Sequence, residues 1–391
     1  MKKSLLFVAM AAAAFASCTR DEIIDLKQDE INFSVVADNQ TRASEVYCAN
    51  KLMDAFNVYG TYTAGTTTSW YMKNDEIRFE NGKWVNKTAT RYWSDETHDF
   101  YAAVNGTMTI AATPAPPTVV DFVPATTVKD QKDLLYAVAT GQKKVNEQVA
   151  LNFRHALSQI EFRAKNTNAQ LYVVINGVSV GQTPSKGTFT FPSASTKDNF
   201  VDHEQNNTHN YTTGSWELAT AVVEDYTVET DAIAVAGNNT LVSLTLSNDT
   251  DDNNRDFSKS MLLLPTSSTG GTTAWTPAGG QAEYDGTYLA VNCKIYNVAG
   301  TAYAEGDVLL HEGWAVMPVS FNWEPGKKYI YTFIFGEGDG GYDGGKDPDP
   351  TPDPEPDPNP EPDPVLTPIS YTVTVDDFQY GAEYDVEMKT E

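Results

Sequence analysis

Hydrophobic and polar positions alternate with a period of two along most of this chain, the mark of half-buried strands rather than helices. The first such run is Glu30 to Ala37. Ile31, Phe33, Val35 and Ala37 fall on one face, and Asn32, Ser34 and Val36 on the other. A polar loop through Thr41 and Arg42 follows, and Ser44 to Ala55 reads as a short helical or irregular stretch. Phe56 to Tyr62 is the next strand. Tyr71 to Glu80 and Gly82 to Val85 form a predicted hairpin, because Asn81-Gly82 suits a tight turn with positive φ. Arg91 to Trp93, His98 to Val104 and Asp133 to Val138 are further strand candidates.

The run from Gln148 to Lys165 fits a helix or two strands. The alternation of Leu151 with Phe153, then of Ile160 with Phe162, favours two strand halves about a kink at His155-Ala156. Leu171 to Val180, Gly187 to Phe191, Leu241 to Leu246, Ser260 to Leu264, Thr287 to Val298 and Trp314 to Val319 continue the pattern. Tyr329 to Phe335 is almost wholly apolar, as expected of a strand buried on both faces. The fold class is all-β.

The regime changes after Phe335. Residues 336–345 are rich in Gly and Asp, and Asp347 to Pro364 alternates Pro with mostly acidic residues. Proline at every second position excludes helix and sheet and leaves polyproline II, stiffened by charge repulsion. At ~3.1 Å per residue this stretch reaches on the order of 55 Å. Beyond it, Ile369, Tyr371, Val373 and Val375 alternate with Ser370, Thr372 and Thr374, a strand at the end of a long tether. The organisation expected is therefore a signal peptide at 1–17, a tether at 18–29, a β-sandwich at 30–145 and a second at 146–337. A linker at 338–365 and a C-terminal strand at 366–391, a candidate donor strand, complete it. The polar break Gly141 to Glu147 sets the division between the sandwiches.

Composition adds three constraints. With 391 residues the chain can bury two cores. A net charge of −26 argues against nucleic acid and against charge-driven binding to anionic lipid. The three cysteines, Cys18, Cys48 and Cys293, make no disulfide framework; Cys48 and Cys293 are either a bridge or two thiols. At the N-terminus, Lys2 and Lys3 precede an apolar run, Leu5 to Ala16, too short to span a bilayer, which is the pattern of a signal peptide. Phe15-Ala16-Ser17 then meets Cys18 as in a bacterial lipobox, predicting cleavage between Ser17 and Cys18 and lipidation of Cys18. Ordinary cleavage near Ala16 is the alternative. Thr19-Arg20-Asp21-Glu22 resembles a surface-export signal of lipoproteins.

Candidate chemistry is thin. Gly177-Val178-Ser179-Val180-Gly181 matches a nucleophile-elbow pattern, but Pro184 and Gly187 exclude the helix that must follow the serine. Asp249 to Asn254 starts like a calcium loop, yet Asn254 replaces the required glycine and Ser260 the bidentate acid. Asp339, Asp343 and Asp347 lack ligand spacing, and His98, His155, His203, His209 and His311 form no metal-ligand pairs. Trp70, Trp84 and Trp275 could stack on sugars, although core packing is the usual place for Trp in a sandwich. No catalytic constellation, no metal site and no cofactor is expected, and the chain does not read as an enzyme.

Several segments together resemble the fimbrillin family. They are Phe153-Arg154-His155-Ala156-Leu157-Ser158-Gln159-Ile160; Ile31 to Phe33 with Thr41-Arg42-Ala43; and Tyr92-Trp93 with Asp99-Phe100-Tyr101-Ala102. Asp133 to Ala137, Pro325 to Tyr329 and Val373 to Phe378 also fit. The Pro/Asp linker departs from the pattern. The resemblance implies two transthyretin-like β-sandwich domains and export as an outer-membrane lipoprotein. It also implies a place as a shaft, tip or anchor subunit of type V pili, supporting adhesion; the alternative to that reading is a monomeric surface lipoprotein or tip adhesin binding glycan or host protein. Its further implications are cleavage by an arginine-specific protease at Arg42-Ala43 and strand exchange with other fimbrial subunits.

Overall fold

The computed structural model describes residues 30–36, 53–144, 148–196, 212–245, 259–268, 276–278, 281–283, 286–300, 302–336, 342–343 and 369–377. The strands of the first half are β1 (Phe33–Val36), β2 (Ala55–Ala64), β3 (Thr67–Glu80), β4 (Lys83–Asn86), β5 (Thr97–Val104), β6 (Met108–Thr109), β7 (Thr118–Phe122) and β8 (Leu135–Gln142). Next come β9 (Val149–Asn152), β10 (Arg154–His155), β11 (Ser158–Asn166), β12 (Leu171–Pro184), β13 (Gly187–Thr190), β14 (Ser215–Leu218), β15 (Val223–Ala236) and β16 (Val242–Ser243). The last are β17 (Met261–Leu263), β18 (Thr276–Ala278), β19 (Gln281–Glu283), β20 (Tyr288–Asn297), β21 (Val308–Pro318), β22 (Lys327–Phe335), β23 (Tyr342–Asp343) and β24 (Ile369–Asp377). Among the described residues there is no α-helix; a 3-10 turn occurs at Val128–Asp130. The described part of the protein is all-β.

The first half is built on a six-stranded sheet in the order β10-β8-β5-β2-β3-β4. Both of its faces are covered. Phe56, Val58, Phe100 and Ala102 pack on one side with Phe33, Val149 and Leu151 of the β1–β9 pair. Tyr59, Tyr101, Tyr136 and Val138 pack on the other with Phe189 and Phe191. That double burial explains why the end of β5, Phe100 to Val104, and the start of β8 read as unbroken apolar runs. The close approach of the sheet's own side chains also requires Gly60, where an added Cβ would lie 3.1 Å from the Phe100 ring. The β3–β4 hairpin turns at Asn81 (φ 52°) and Gly82 (φ 80°), as its sequence predicts.

The second half is a sandwich of two five-stranded sheets. One has the path β16-β11-β22-β24, with β17 also on β11; the other is β15-β12-β20-β21-β23. Phe162, Val173, Ile175, Val291, Phe333 and Phe335 lie in the core between them. Three pairings cross residue 145: β1 with β9, β8 with β10, and β7 with β13. Gln148 to Lys165 is β9, β10 and β11 with a break at Ala156-Leu157, so the strand reading of that run holds over the helical one. Strands β7, β14 and β15 lie where no strand was expected from the sequence.

Candidate functional site

The first strand is where sequence pattern and packing meet. Ile31 and Phe33 are 3% and 2% exposed, while Asn32 and Ser34 on the opposite face are half-buried. Phe33 stands edge-on to Phe100 at 5.3 Å and to Phe56 at 6.4 Å, both nearly perpendicular. Burying two such side chains stabilises the site by roughly 2 kcal/mol each.

Two backbone lips hold β1. On one side it runs parallel to β9, pairing Phe33 with Val149 through Val36 with Asn152, and the Val149 amide donates to the Asn32 carbonyl at 2.8 Å. On the other side Glu30 bridges Tyr92 in antiparallel sense, and the Ile31 amide donates to the Arg91 carbonyl at 2.8 Å. The segment 91–93, expected as a strand, is this bridge alone. Beneath it Arg91 makes two bonds to the fully buried Asp75 carboxylate, Nε to Oδ2 at 2.7 Å and Nη2 to Oδ1 at 2.9 Å. The carboxylate raises the guanidinium pKa further, chiefly through that hydrogen bond.

The C-terminal strand lies elsewhere. All nine residues of β24 pair antiparallel with β22, from Phe335 with Ile369 to Lys327 with Asp377. Ile369 is buried in the second core, and Tyr371 and Val373 pack against it. Four residues singled out in the sequence, Ser17, Cys18, Arg42 and Ala43, lie outside the described residues, as do Cys48, His203, His209, Asp249 to Asn254 and Trp275.

The remaining candidates have ordinary surroundings. Ser179 lies within β12, not at a strand end; it is buried, donates to the Tyr226 carbonyl at 3.2 Å and accepts from Thr227 Oγ1 at 2.9 Å. No histidine touches it in those bonds. His155 Nδ1 is 2.5 Å from the Asp133 carboxylate, a buried pair within the core. His98 is buried against Trp93 and Phe100, and that burial pushes its pKa down. Cys293 is a free thiol in the second core, pushed up to about 12 by burial. Trp70 and Trp84 pack against the two cores of the first half, and Trp70 Nε1 donates to the Ala111 carbonyl at 2.9 Å. No group of three or more His, Cys, Asp or Glu side chains suited to a metal occurs among the described residues. The carriers that sequence reasoning missed are Tyr71, Asp75 and the Arg91 side chain. Their signal is weak, since a buried aspartate in a strand looks like any exposed one.

The family model described as fimbrillin-like matches residues 41–346. The chain belongs to the fimbrillin-like family. No curated protein matches it. Among solved structures, a fimbrial protein from Bacteroides vulgatus is 14% identical, with 78% of this chain and 94% of that one covered at a TM-score of 0.49. A protein from Bacteroides uniformis, named as a candidate cell adhesion protein, is 15% identical over 89% of this chain and 98% of its own, at a TM-score of 0.42. In this fimbrillin-like chain the match starts next to Arg42, so β1 lies before it and β24 after it.

Proposed function

We propose that this chain is a structural, non-enzymatic subunit of a cell-surface fimbria that supports adhesion and assembles by strand exchange. The chain is exported through its signal peptide and lipidated on Cys18 in the outer membrane. An arginine-specific protease cuts at Arg42-Ala43, which separates β1 and the lipid from the body. A strand from another subunit then fills the slot between Val149–Asn152 and Arg91–Trp93. The two halves serve as transthyretin-like sandwich domains, with 338–365 as the tether of the donor.

The observation that carries this reading is a likeness within the chain. Ile31-Asn32-Phe33-Ser34-Val35 and Ile369-Ser370-Tyr371-Thr372-Val373 have the same pattern of large apolar and small polar residues. Placed parallel to β1, the tail puts Ile369, Tyr371 and Val373 where Ile31, Phe33 and Val35 stand. An incoming strand satisfies open backbone groups and refills the apolar slot, which is β-augmentation.

A second reading rests on β24. Its nine-residue pairing with β22 favours a tail that stays on its own body, as in a monomeric surface lipoprotein or tip adhesin for glycan or host protein. Treating purified precursor and Arg42→Ala with an arginine-specific protease separates the two. Exchange predicts SDS-resistant ladders from the wild type alone; a cleaved wild type that forms none overturns it and leaves the second reading.

A further inference from the structure

Exchange requires a slot that remains open after β1 leaves, and its two lips are supported differently. This inference rests on the exchange reading above. The β9 lip pairs with β1 and is held at its end by Thr196, whose Oγ1 donates to the Asn152 carbonyl at 2.6 Å. The lip at Arg91 to Trp93 is anchored at each of its three residues by groups that belong to other strands.

Backbone groups in an extended segment point alternately to its two sides. The Arg91 carbonyl points to β1, where it accepts from Ile31. The amide and carbonyl of Tyr92 are both taken by one side chain. The Tyr71 hydroxyl accepts from Tyr92 N at 3.0 Å and donates to Tyr92 O at 3.0 Å. The Arg91 guanidinium is fixed by its fork on Asp75, which also accepts from Asn86 Nδ2 at 2.9 Å, and it lies 5.5 Å from the centre of the Tyr71 ring. The Trp93 ring packs on His98 at 5.3 Å and Phe100 at 6.0 Å. None of these anchors uses a residue of β1.

We propose that Tyr71, Asp75 and Arg91 form a clamp that holds the lip at Arg91–Trp93 in its strand-accepting position when β1 is absent, so that the slot stays preformed for a strand of a second copy of this chain. Tyr71 and Asp75 both sit on β3 where it pairs with β2, so the clamp is referred to the six-stranded sheet. A fixed lip spares the incoming strand the ordering cost of building its own acceptor. The clamp residues are positioning residues: the incoming strand meets the Arg91 carbonyl, not their side chains.

The test uses the full-length chain with the site of a sequence-specific protease in place of residues 38–42, so that it does not depend on cleavage at Arg42. The cut protein is incubated with excess labelled peptide of residues 369–377. Tyr71→Phe and Arg91→Lys are compared with the wild type and with Lys294→Gln, which breaks a surface ion pair with Glu312 in the second half. The clamp predicts peptide uptake about tenfold weaker in Tyr71→Phe and Arg91→Lys, as expected for losing one or two hydrogen bonds of the lip. Lys294→Gln should match the wild type, and uptake is compared below the melting temperature of every variant, because Arg91→Lys also weakens the pair with the buried Asp75 in the uncut chain. Uptake equal to wild type in both clamp variants overturns the clamp and leaves exchange standing. No uptake by the wild type overturns exchange. In that case hydrogen exchange at the Tyr92 amide of the cut wild type, with the β1 fragment removed, still decides the clamp: retained protection supports it, and lost protection overturns it.

Discussion

Phe33 concentrates the consequences of this fold in one side chain. Its ring fills the gap between Phe56 and Phe100, and nothing from solvent replaces it. Phe33→Ala leaves a cavity in an aromatic cluster, and the expected cost is about 3–5 kcal/mol of precursor stability, read from the urea midpoint at unchanged slope. The same pocket makes a demand on the donor. Tyr371 would bring a hydroxyl into a site bordered by aromatic carbon, and burying an unpartnered hydroxyl is unfavourable. A tail peptide carrying Tyr371→Phe should therefore outcompete the natural peptide for the cut protein. Equal competition would mean that the slot supplies a partner for the hydroxyl. On the opposite face of the central sheet, burial pushes Tyr101 up to about 12. An unfolded tyrosine ionises near pH ~10. Between these values the native chain holds the proton and the unfolded chain does not, so stability falls as pH rises. The contribution is intact below about pH 10 and is lost toward about pH 12. The melting temperature of Tyr101→Phe should rise relative to the wild type from about pH 10 and reach its full advantage near pH 12.

Strand β24 ties the two proposed states of the tail together. In place on β22 it covers the edge of a strand whose residues are nearly all buried. Deleting residues 365–391 should lower the melting temperature of the monomer, because β22 becomes an open edge, and should also stop polymer growth. A deletion that leaves stability unchanged would show that β24 contributes nothing in cis. Much at this scale was legible. Alternation located β1, β2, β12 and β20, an almost wholly apolar run located β22, and the Asn81-Gly82 pair located a hairpin. Strand β15 escaped although Tyr226, Val228, Thr230 and Val235 are buried along it, because Glu224, Asp225, Glu229 and Asp231 make the segment look polar. Its alternation is also broken at Ala232, where φ is 48°. Beyond that hairpin, strand partners were not legible. The parallel pairings of β1 with β9 and β11 with β22 join segments far apart in the chain, and no local pattern encodes them. The clamp was hidden for the same reason, since Tyr71, Asp75 and Arg91 meet only once β3 and the loop after β4 are folded together.

For the whole molecule, acceptor and donor patterns on one chain imply that copies of this protein suffice for polymerisation. Purified precursor, once cut, should form ladders without any other subunit, and Arg42→Ala should remain monomeric under the same protease. The mature N-terminus from cells should be Ala43 in the polymer and lipidated Cys18 in the membrane-held precursor. Charge sets the conditions. The full chain carries −26, part of it on the acidic tether, so neighbouring copies repel. The apolar slot gains nothing from that field. Screening shortens the reach of the repulsion from about 30 Å at 0.01 M salt to about 8 Å at 0.15 M. Ladder formation should therefore accelerate with added salt in this range, while the melting temperature of the uncut monomer changes much less. Assembly that slows as salt is added would mean that charge attraction, not strand insertion, brings the copies together, and would count against the slot as the site where they join.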